Sequence, residues 1–319
     1  MKYFVYIISL FNLTAIAQQT AQFTQFTFNN YFYNPASAGS NINAGVEIIA
    51  GTRQQWVGFR NAPGTNFLCA NYTIKPERSY KRWHNFGFLM NKERAGLFRN
   101  ESYYLSYTIH LPINKKTSMA FGIFAGTRYL ALDRSLISKD DPVYNSTYPN
   151  YFFIYPDFIP GIRINNKTSF LDISVHQLYK NKRSQGDKQI GNKSALVPQV
   201  YVSFGKKFFY DNGIVLQPAV NIHSSFTNIP SIELNMMAYY RKRIGVGFSV
   251  RNKDFVSGII QIRFLRNVTA GFAYDYSINK FNTVAPRTLE FMIGVTPLIA
   301  LLGNEREKYS VNRCPDFDF

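Results

Sequence analysis

The side chains best placed for catalysis are Asp172 and His176, four residues apart in a segment with the alternation of a β-strand. On a strand, that spacing puts both side chains on the same face. They could begin an acid–base pair, or belong to a hydrogen-bond network inside the protein. The second interpretation is favoured, because nothing else in the sequence completes a catalytic set around them.

Other signs of metal or nucleophile chemistry are weak in this sequence. The four histidines, His84, His110, His176 and His223, do not have the spacing of a zinc site, and neither HExxH, CxxC nor GxSxG occurs. Asp140 and Asp141 are adjacent carboxylates without a further ligand pattern, which is typical of a solvated turn. We therefore expect no enzyme activity, no metal and no cofactor.

The elements that carry these residues are indicated by a two-residue alternation that recurs along the chain. In residues 267–278, apolar or aromatic side chains alternate with small or polar ones, which gives a strand one apolar and one polar face. Many such strands, with no helical segment to cover the apolar face, predict that lipid covers it. A soluble secreted β-sandwich is the alternative.

The N-terminus has the features of an export signal. Residues 1–17 combine Lys2, a short apolar run and the sequence Ala15-Ile16-Ala17 before Gln18, as in a cleavable signal peptide. The apolar run is too short for a comfortable transmembrane helix of about 20 residues. An exported chain with strands of this kind is expected in the outer membrane.

Fourteen segments have the length and alternation of membrane-crossing strands, an even number as outer-membrane barrels require. The expected fold is all-β, a transmembrane outer-membrane β-barrel of about 14 antiparallel strands. The expected organisation is a signal peptide at 1–17, an N-terminal periplasmic segment at 18–43, the barrel at 44–297 and a periplasmic tail at 298–319. Short turns alternate with longer connections, of which 132–156 and 179–195 are the longest.

Composition fits this interpretation. The chain of 319 residues contains 22 Tyr and 29 Phe, and its formal net charge is +17. Aromatic girdles at the two membrane interfaces account for the Tyr and Phe. The positive charge is dispersed along an exported chain, so we expect anionic lipid rather than nucleic acid around it. Cys69 and Cys314 do not form a disulfide framework, although their pairing stays open.

The polar face of the strands carries charges of both signs. These would point into the lumen, since a lipid-facing Arg or Lys near the midplane costs about 2–4 kcal/mol. They could pair and plug the lumen, or line a narrow wet channel. The charged and histidine positions on this face are Glu47, Arg53, Arg128, Asp172, His176, Glu233, Arg251, Arg263, Asp275 and Glu290.

Two segments depart from the simple strand pattern. In the first, residues 23–39, Asn34-Pro35 and Ala38-Gly39 mark turns between an aromatic stretch and the first strand. In the second, residues 53–63, Trp56 and Phe59 flank Gly58, which predicts a tight aromatic loop at one rim. Without further information, an interfacial aromatic belt and a tight loop explain both.

Together these segments resemble the PorP/SprF family of type IX secretion system membrane proteins. The family's first pattern, Q-(Y/F)-x-F-N-x-x-x-(Y/F)-N-P-A-x-A-G, is matched by Gln25, Phe28, Asn29, Tyr33, Asn34, Pro35, Ala36, Ala38 and Gly39. The second, R-x-Q-W-V-G-F-x-x-A-P, is matched by Arg53, Gln55, Trp56, Val57, Gly58, Phe59, Ala62 and Pro63. The family also has a late strand with the pattern Y-x-Y-D, which corresponds here to residues 272–275, with Phe272 in place of the first Tyr and Asp275 as the Asp. Its Glu in the last strand corresponds to Glu290.

The resemblance implies an outer-membrane barrel that works with the type IX export machine. Such proteins support secretion or surface attachment of cargo, often large adhesins, and in gliding cells this cargo moves along the surface. Partners would be lipid, secreted cargo, and machine components such as the periplasmic ring or peptidoglycan-linked lipoproteins. We expect residues 22–39 and the tail 301–319 to bind partners in the periplasm. A passive small-solute channel is the alternative function.

Overall fold

The computed structural model describes residues 21–40, 45–74, 81–114, 116–133, 152–178, 184–185, 188–189, 197–226, 229–252, 254–265, 267–278 and 287–297. The expected signal peptide, the C-terminal tail, Cys314, and Asp140 with Asp141 lie outside these residues. None of the helices in the described part is long and apolar enough to span a membrane.

Fourteen antiparallel strands form a closed barrel. Each strand pairs with the next along the chain, and the first pairs with the last. The prediction of a 14-stranded antiparallel barrel is confirmed. The strands are β1 (Val46–Gln54), β2 (Gly64–Ile74), β3 (Trp83–Ala95), β4 (Phe98–Pro112), β5 (Thr117–Leu132), β6 (Phe152–Asn166), β7 (Ser169–His176), β8 (Gln199–Lys206), β9 (Ile214–Ser224), β10 (Ser231–Tyr240), β11 (Ile244–Arg251), β12 (Phe255–Leu265), β13 (Val268–Ser277) and β14 (Arg287–Val295).

Two short features accompany these strands. Phe208–Tyr210 continues β8 beyond a break at Lys207 and pairs with β9. Ser184–Gln185 pairs with Lys188–Gln189 in a small separate hairpin, within the basic segment that follows β7.

The connections differ between the two ends of the barrel. At one end lie the turns 113–116, 167–168, 211–213, 241–243 and 266–267, together with the connection 75–82. The strand ends at the other side include those of β5 and β6 and of β7 and β8, which are separated by the longest stretches of sequence, 133–151 and 177–198. We call these the short-turn end and the long-loop end. The start of β1 and the end of β14 are both at the short-turn end.

The barrel has an apolar exterior and a polar interior because side chains alternate along each strand. In β13, Phe272, Tyr274 and Tyr276 are exposed, whereas Thr269, Asp275 and Ser277 are buried. The same alternation places large apolar side chains on the outside of other strands. Examples are Leu105, Phe121, Phe158, Ile173, Phe204, Leu234, Phe248 and Ile260.

The lumen is filled by residues 21–40, which we call the lumen segment. All of its residues are buried except Gln22, which is intermediate. It contains two 3₁₀ turns, Asn30–Phe32 and Pro35–Ser37, in which the side chains of Asn29 and Asn34 accept hydrogen bonds from Phe32 N and Ala36 N. Asparagine is well suited to such caps, since its short side chain reaches the backbone two or three residues ahead.

This location corrects the expectation that residues 22–39 lie in the periplasm and bind partners there. The segment is rich in Phe and Tyr, and its rings pack against one another and against the barrel wall. Phe23 and Phe67 have ring centroids 5.0 Å apart, and Tyr31 and Phe124 also 5.0 Å. Burying this aromatic surface stabilises the segment inside the lumen, whereas a periplasmic position would leave it in water.

Candidate functional site

Three charged residues from distant parts of the chain meet in the lumen wall. Arg53 lies on β1, opposite Glu290 on β14, and Asp275 is on the neighbouring strand β13. Arg53 Nη1 lies 2.8 Å from Asp275 Oδ2 and also contacts Glu290. The side chains of all three are at most 2% exposed. They form a buried ion cluster that ties the two ends of the barrel sheet together.

The same cluster binds the lumen segment. Thr24 N donates to Glu290 Oε1 at 2.8 Å, and Gln25 N donates to Glu290 Oε2 at 3.2 Å. Thr24 Oγ1 donates to Asp275 Oδ1 at 2.8 Å. The two carboxylates therefore accept both from Arg53 and from the peptide, so the cluster is a peptide-binding site occupied by the protein's own chain.

A second ion pair extends this cluster. Arg251 on β11 binds Glu233 on β10, with Nη2–Oε2 and Nε–Oε2 distances of 2.9 and 3.0 Å. Arg251 Nη2 also donates to Thr24 Oγ1 at 3.3 Å. One threonine of the lumen segment thus contacts both halves of the charged network.

The middle of the lumen segment is held by Asp172 and His176. Asn34 Nδ2 donates to Asp172 Oδ1 at 2.9 Å, and Asp172 Oδ2 pairs with Arg163 Nη1 at 2.6 Å. His176 Nε2 donates to the carbonyl of Tyr33 at 2.6 Å. These two residues therefore belong to a lumen hydrogen-bond network, in agreement with the favoured interpretation of their spacing.

The end of the lumen segment is held near the short-turn end of the barrel. His110 Nε2 donates to the carbonyl of Ala38 at 2.6 Å, and Trp83 Nε1 donates to the carbonyl of Gly39 at 3.0 Å. The Trp83 and His110 rings are stacked, with centroids 4.6 Å apart. Gly39 has a φ of +73°, which glycine adopts without steric cost. The segment thus runs from the long-loop half of the lumen to the short-turn end.

Glycines in the strands make room for the segment. An added Cβ at Gly161 would lie 1.9 Å from Asn34 Oδ1, and one at Gly122 would lie 2.4 Å from Ala36 N. At Gly271 and Gly87 it would meet Gln25 Oε1 and Tyr31 Oη, each at 2.2 Å. These four positions on four different strands let the segment approach the wall closely.

Two tyrosines of the lumen segment make buried hydrogen bonds through their hydroxyl groups. Tyr31 Oη shares a hydrogen bond with Ser106 Oγ at 2.6 Å, and Tyr33 Oη accepts from Phe23 N at 2.5 Å. Both hydroxyls therefore act as hydrogen-bonding groups within an aromatic core.

The residues of the second family pattern, 53–63, lie partly in the lumen wall and partly at the barrel rim. Arg53 points inward, but residues 55–63, which we call the rim loop, lie at the long-loop end between β1 and β2. In this loop Trp56, Val57 and Phe59 are exposed. The loop is closed by a hydrogen bond from Gln55 N to the carbonyl of Pro63 at 2.9 Å.

A comparison with protein families identifies the chain. The family described as "Type IX secretion system membrane protein PorP/SprF" matches residues 15–295. The chain belongs to this family. A search of curated proteins found no match. This PorP/SprF member is therefore an outer-membrane β-barrel of a type IX secretion family.

Solved structures similar to this PorP/SprF barrel share very little sequence with it. The Ralstonia pickettii toluene transporter TbuX is 9% identical, with a TM-score of 0.47, covering 86% of this chain and 92% of that chain. A Pseudomonas aeruginosa FadL homologue is 12% identical, with a TM-score of 0.47 and coverages of 85% and 93%. The Acinetobacter baumannii outer-membrane protein Omp33 is 9% identical, with a TM-score of 0.43 and coverages of 79% and 97%.

The residues singled out in the sequence of this PorP/SprF member fall into two groups. Those buried in the lumen or its wall are Asn34, Pro35, Gly39, Arg53, Asp275 and Glu290. Among them, Arg53 contacts Asp275 and Glu290, whereas Asn34 and Gly39 bind other residues of the wall. Those in or beside the rim loop are Gln55, Trp56, Val57, Gly58, Phe59 and Pro63. Cys69 is buried in the lumen wall, where its Sγ accepts a hydrogen bond from Asn29 Nδ2 at 3.3 Å.

Sequence reasoning missed several residues that hold the lumen segment. His110, Trp83 and Arg163 were not assigned a role, and neither were Gly122 and Gly161. Only the glycines left a signal, because glycine inside a strand indicates a close backbone approach. In the described part of the chain, no group of three or more His, Cys, Asp or Glu lies close enough to hold a metal.

We expect Asn34→Asp to weaken the seating of the lumen segment. The new carboxylate would replace an amide that now donates to Asp172, so two buried carboxylates would face each other across 2.9 Å. Loss of such a bond with an unsatisfied buried group costs about 1–3 kcal/mol. Urea unfolding of the folded barrel in liposomes measures the change.

Asn114→Asp is the matched control for this prediction. Asn114 lies in an exposed turn, where its Oδ1 accepts from Lys116 N and Thr117 N at 2.8 and 2.9 Å. An aspartate keeps the acceptor, so we expect a change within about 0.5 kcal/mol. Equal effects of the two substitutions would contradict the role given to Asn34.

Proposed function

We propose that this protein is a non-enzymatic accessory barrel of the type IX secretion system. In this role it supports secretion or surface attachment of cargo by docking machine components or cargo C-terminal domains at its rims. Family membership over residues 15–295 supports the link to the secretion system. The observation that carries the docking role is the occupied lumen, since a barrel filled by its own chain is suited to presenting surfaces rather than to transporting solutes.

The occupied lumen also bears on the alternative of a passive channel. The lumen segment packs its aromatic rings against both the wall and one another, and its backbone is bound from Thr24 to Gly39. A water-filled porin lumen would instead have polar side chains facing solvent. The proposed role therefore does not require conduction through the intact protein.

Deletion of residues 21–40 is expected to convert the closed barrel into a conducting one. The deletion leaves the polar wall and the glycine positions without their occupant. In planar bilayers we expect stable openings from the deletion variant, and none of comparable size from the full chain. A synthetic peptide of residues 21–40 should reduce the conductance again. Stable openings of the full chain would favour the channel function instead.

The docking role is tested by affinity purification of a tagged copy from gently solubilised outer membranes. We expect type IX components or one large surface protein to co-purify, identified by mass spectrometry. A variant without residues 298–319 tests the tail, the other expected docking segment, which lies outside the described residues. Recovery of the folded barrel alone would contradict docking and favour the channel.

A further inference from the structure

The rim loop has a fixed backbone. Trp56 and Asn61 have φ values of +51° and +59°, and Gly58 has one of +103°. Residues other than glycine rarely adopt this region, and such conformations persist only where the surroundings impose them. Phe59 N donates to the carbonyl of Trp56 at 3.0 Å, which closes a tight turn around Gly58.

Neighbouring strands hold this loop from both sides. Val57 N donates to the carbonyl of Arg287 at the start of β14, at 3.0 Å. The carbonyl of Asn61 accepts from Gly96 N in the turn between β3 and β4, at 3.1 Å. The loop is thus positioned by the barrel rim, and its side chains are presented in a defined arrangement.

The presented side chains are large and apolar. Trp56, Val57 and Phe59 are 42%, 43% and 47% exposed. Fixed aromatic side chains that protrude from a rigid loop bind partners at a low entropy cost, and tryptophan is enriched among the residues that dominate binding energy.

A charged band separates this loop from the lipid-facing apolar belt. On the outer face of β2, β3 and β4, the paired row Leu68, Met90 and Tyr103 is followed toward the long-loop end by Asn66, Lys92 and Glu101. The next row is Gly64, Arg94 and Arg99, and the rim loop begins beyond it. Charged rows of this kind lie at the level of the lipid headgroups. The loop therefore lies beyond the acyl chains, so lipid tails do not cover its aromatic residues.

The surroundings of the loop are predominantly basic. The described cations at this rim are Lys92, Arg94, Arg99, the loop's own Arg60, and Arg287 beside Val57. The carboxylates among them are Glu93, Glu101 and Asp133. Glu101 pairs with Lys92, and Asp133 pairs with Arg94 and Arg99. The positive excess favours a partner surface that is acidic.

We propose that the rim loop docks an acidic protein surface with an apolar pocket that receives Trp56 and Phe59. With short turns facing the periplasm, as in other outer-membrane barrels, this partner is on the cell-surface side. It would be secreted cargo that has already crossed the membrane. This proposal rests on the proposed function, because only a barrel that serves secretion meets such cargo there.

Photo-crosslinking in the living cell tests the contact. A benzoylphenylalanine at Phe59 or Val57 should give an adduct with one secreted protein, through a peptide that contains Asp or Glu. The matched controls are Ile113 and Phe209 at the short-turn end, which are 57% and 51% exposed. They should not give this adduct. Crosslinks from position 59 only to lipid, or only to the barrel's own chain, would overturn the proposal.

Affinity measurements test whether the aromatic and basic residues of the rim loop carry the binding. The secreted protein identified by crosslinking is purified and titrated onto the full-length barrel in nanodiscs. The double variant Trp56→Ala with Phe59→Ala should bind about 10- to 100-fold more weakly, as expected for the loss of central aromatic contacts. Arg60→Glu should also weaken binding, and the loss of affinity should be larger at low salt than at high salt, because salt screens the charge interaction. Phe208→Ala with Phe209→Ala, at the opposite rim, should leave binding unchanged. Unchanged binding by the first variant would contradict the proposal.

Secretion assays separate the two proposals. If complete removal of the barrel leaves secretion and surface display of cargo unchanged, the proposed function fails. If removal abolishes them but the Trp56 and Phe59 variants retain normal display and binding, only the rim-loop docking fails. Heat modifiability on a gel verifies that each variant is a folded barrel.

Discussion

Arg53→Ala is expected to destabilise the barrel by about 3–5 kcal/mol, because breaking a buried ion pair leaves an uncompensated buried charge. Arg53 contacts both Asp275 and Glu290, and the side chains of all three are almost completely buried. Its removal leaves two carboxylates close together beside the backbone of Thr24 and Gln25. The measurement is urea unfolding of the barrel in liposomes.

Glu101→Ala is the matched control for the loss of Arg53. Glu101 pairs with Lys92 at 3.7 Å on the outer face, where the two side chains are 29% and 47% exposed. Exposed pairs contribute at most about 1 kcal/mol, so we expect a small change. A small effect of Arg53→Ala as well would show that the buried cluster does not hold the sheet and the lumen segment together.

The second large effect is expected from Gly122→Val and Gly161→Val, which should displace the lumen segment. A Cβ at these positions would lie 2.4 Å from Ala36 N and 1.9 Å from Asn34 Oδ1, far inside van der Waals contact. Overpacking of this kind costs about 1–3 kcal/mol per site. Since the two sites both contact residues 34–36 of the lumen segment, the double variant should release it.

Trp83 reports on this release. Its indole lies against Gly39 and His110 inside the barrel, so its fluorescence should shift to longer wavelength as the segment leaves and water enters. Protease should then cleave within residues 21–40, and the barrel should conduct in planar bilayers. Gly258→Val is the matched control, because a Cβ there meets nothing within 4 Å. Equal fluorescence changes in both variants would contradict a specific clash with the lumen segment.

The sequence was sufficient to predict the barrel and the faces of its strands. The two-residue alternation assigns each side chain to the lipid or the lumen, because a strand repeats every two residues. Thus Asp275 was expected inside and Phe272 outside, and both are. The ends of strands are less well predicted, because alternation continues beyond the membrane and does not mark its surface. For β6 the alternation indicates a strand over 157–165, whereas the strand spans Phe152–Asn166.

Only the tertiary structure decided what occupies the lumen. A polar inner face is equally compatible with a water-filled channel and with a plugged barrel, so the pattern within strands could not distinguish them. The aromatic residues of 21–40 have no strand alternation, and their burial depends on contacts with residues such as Asp172 and Glu290, far away in the chain. Arg53, Asp275 and Glu290 become one binding site only when β1 closes on β14, and no local sequence pattern encodes that closure.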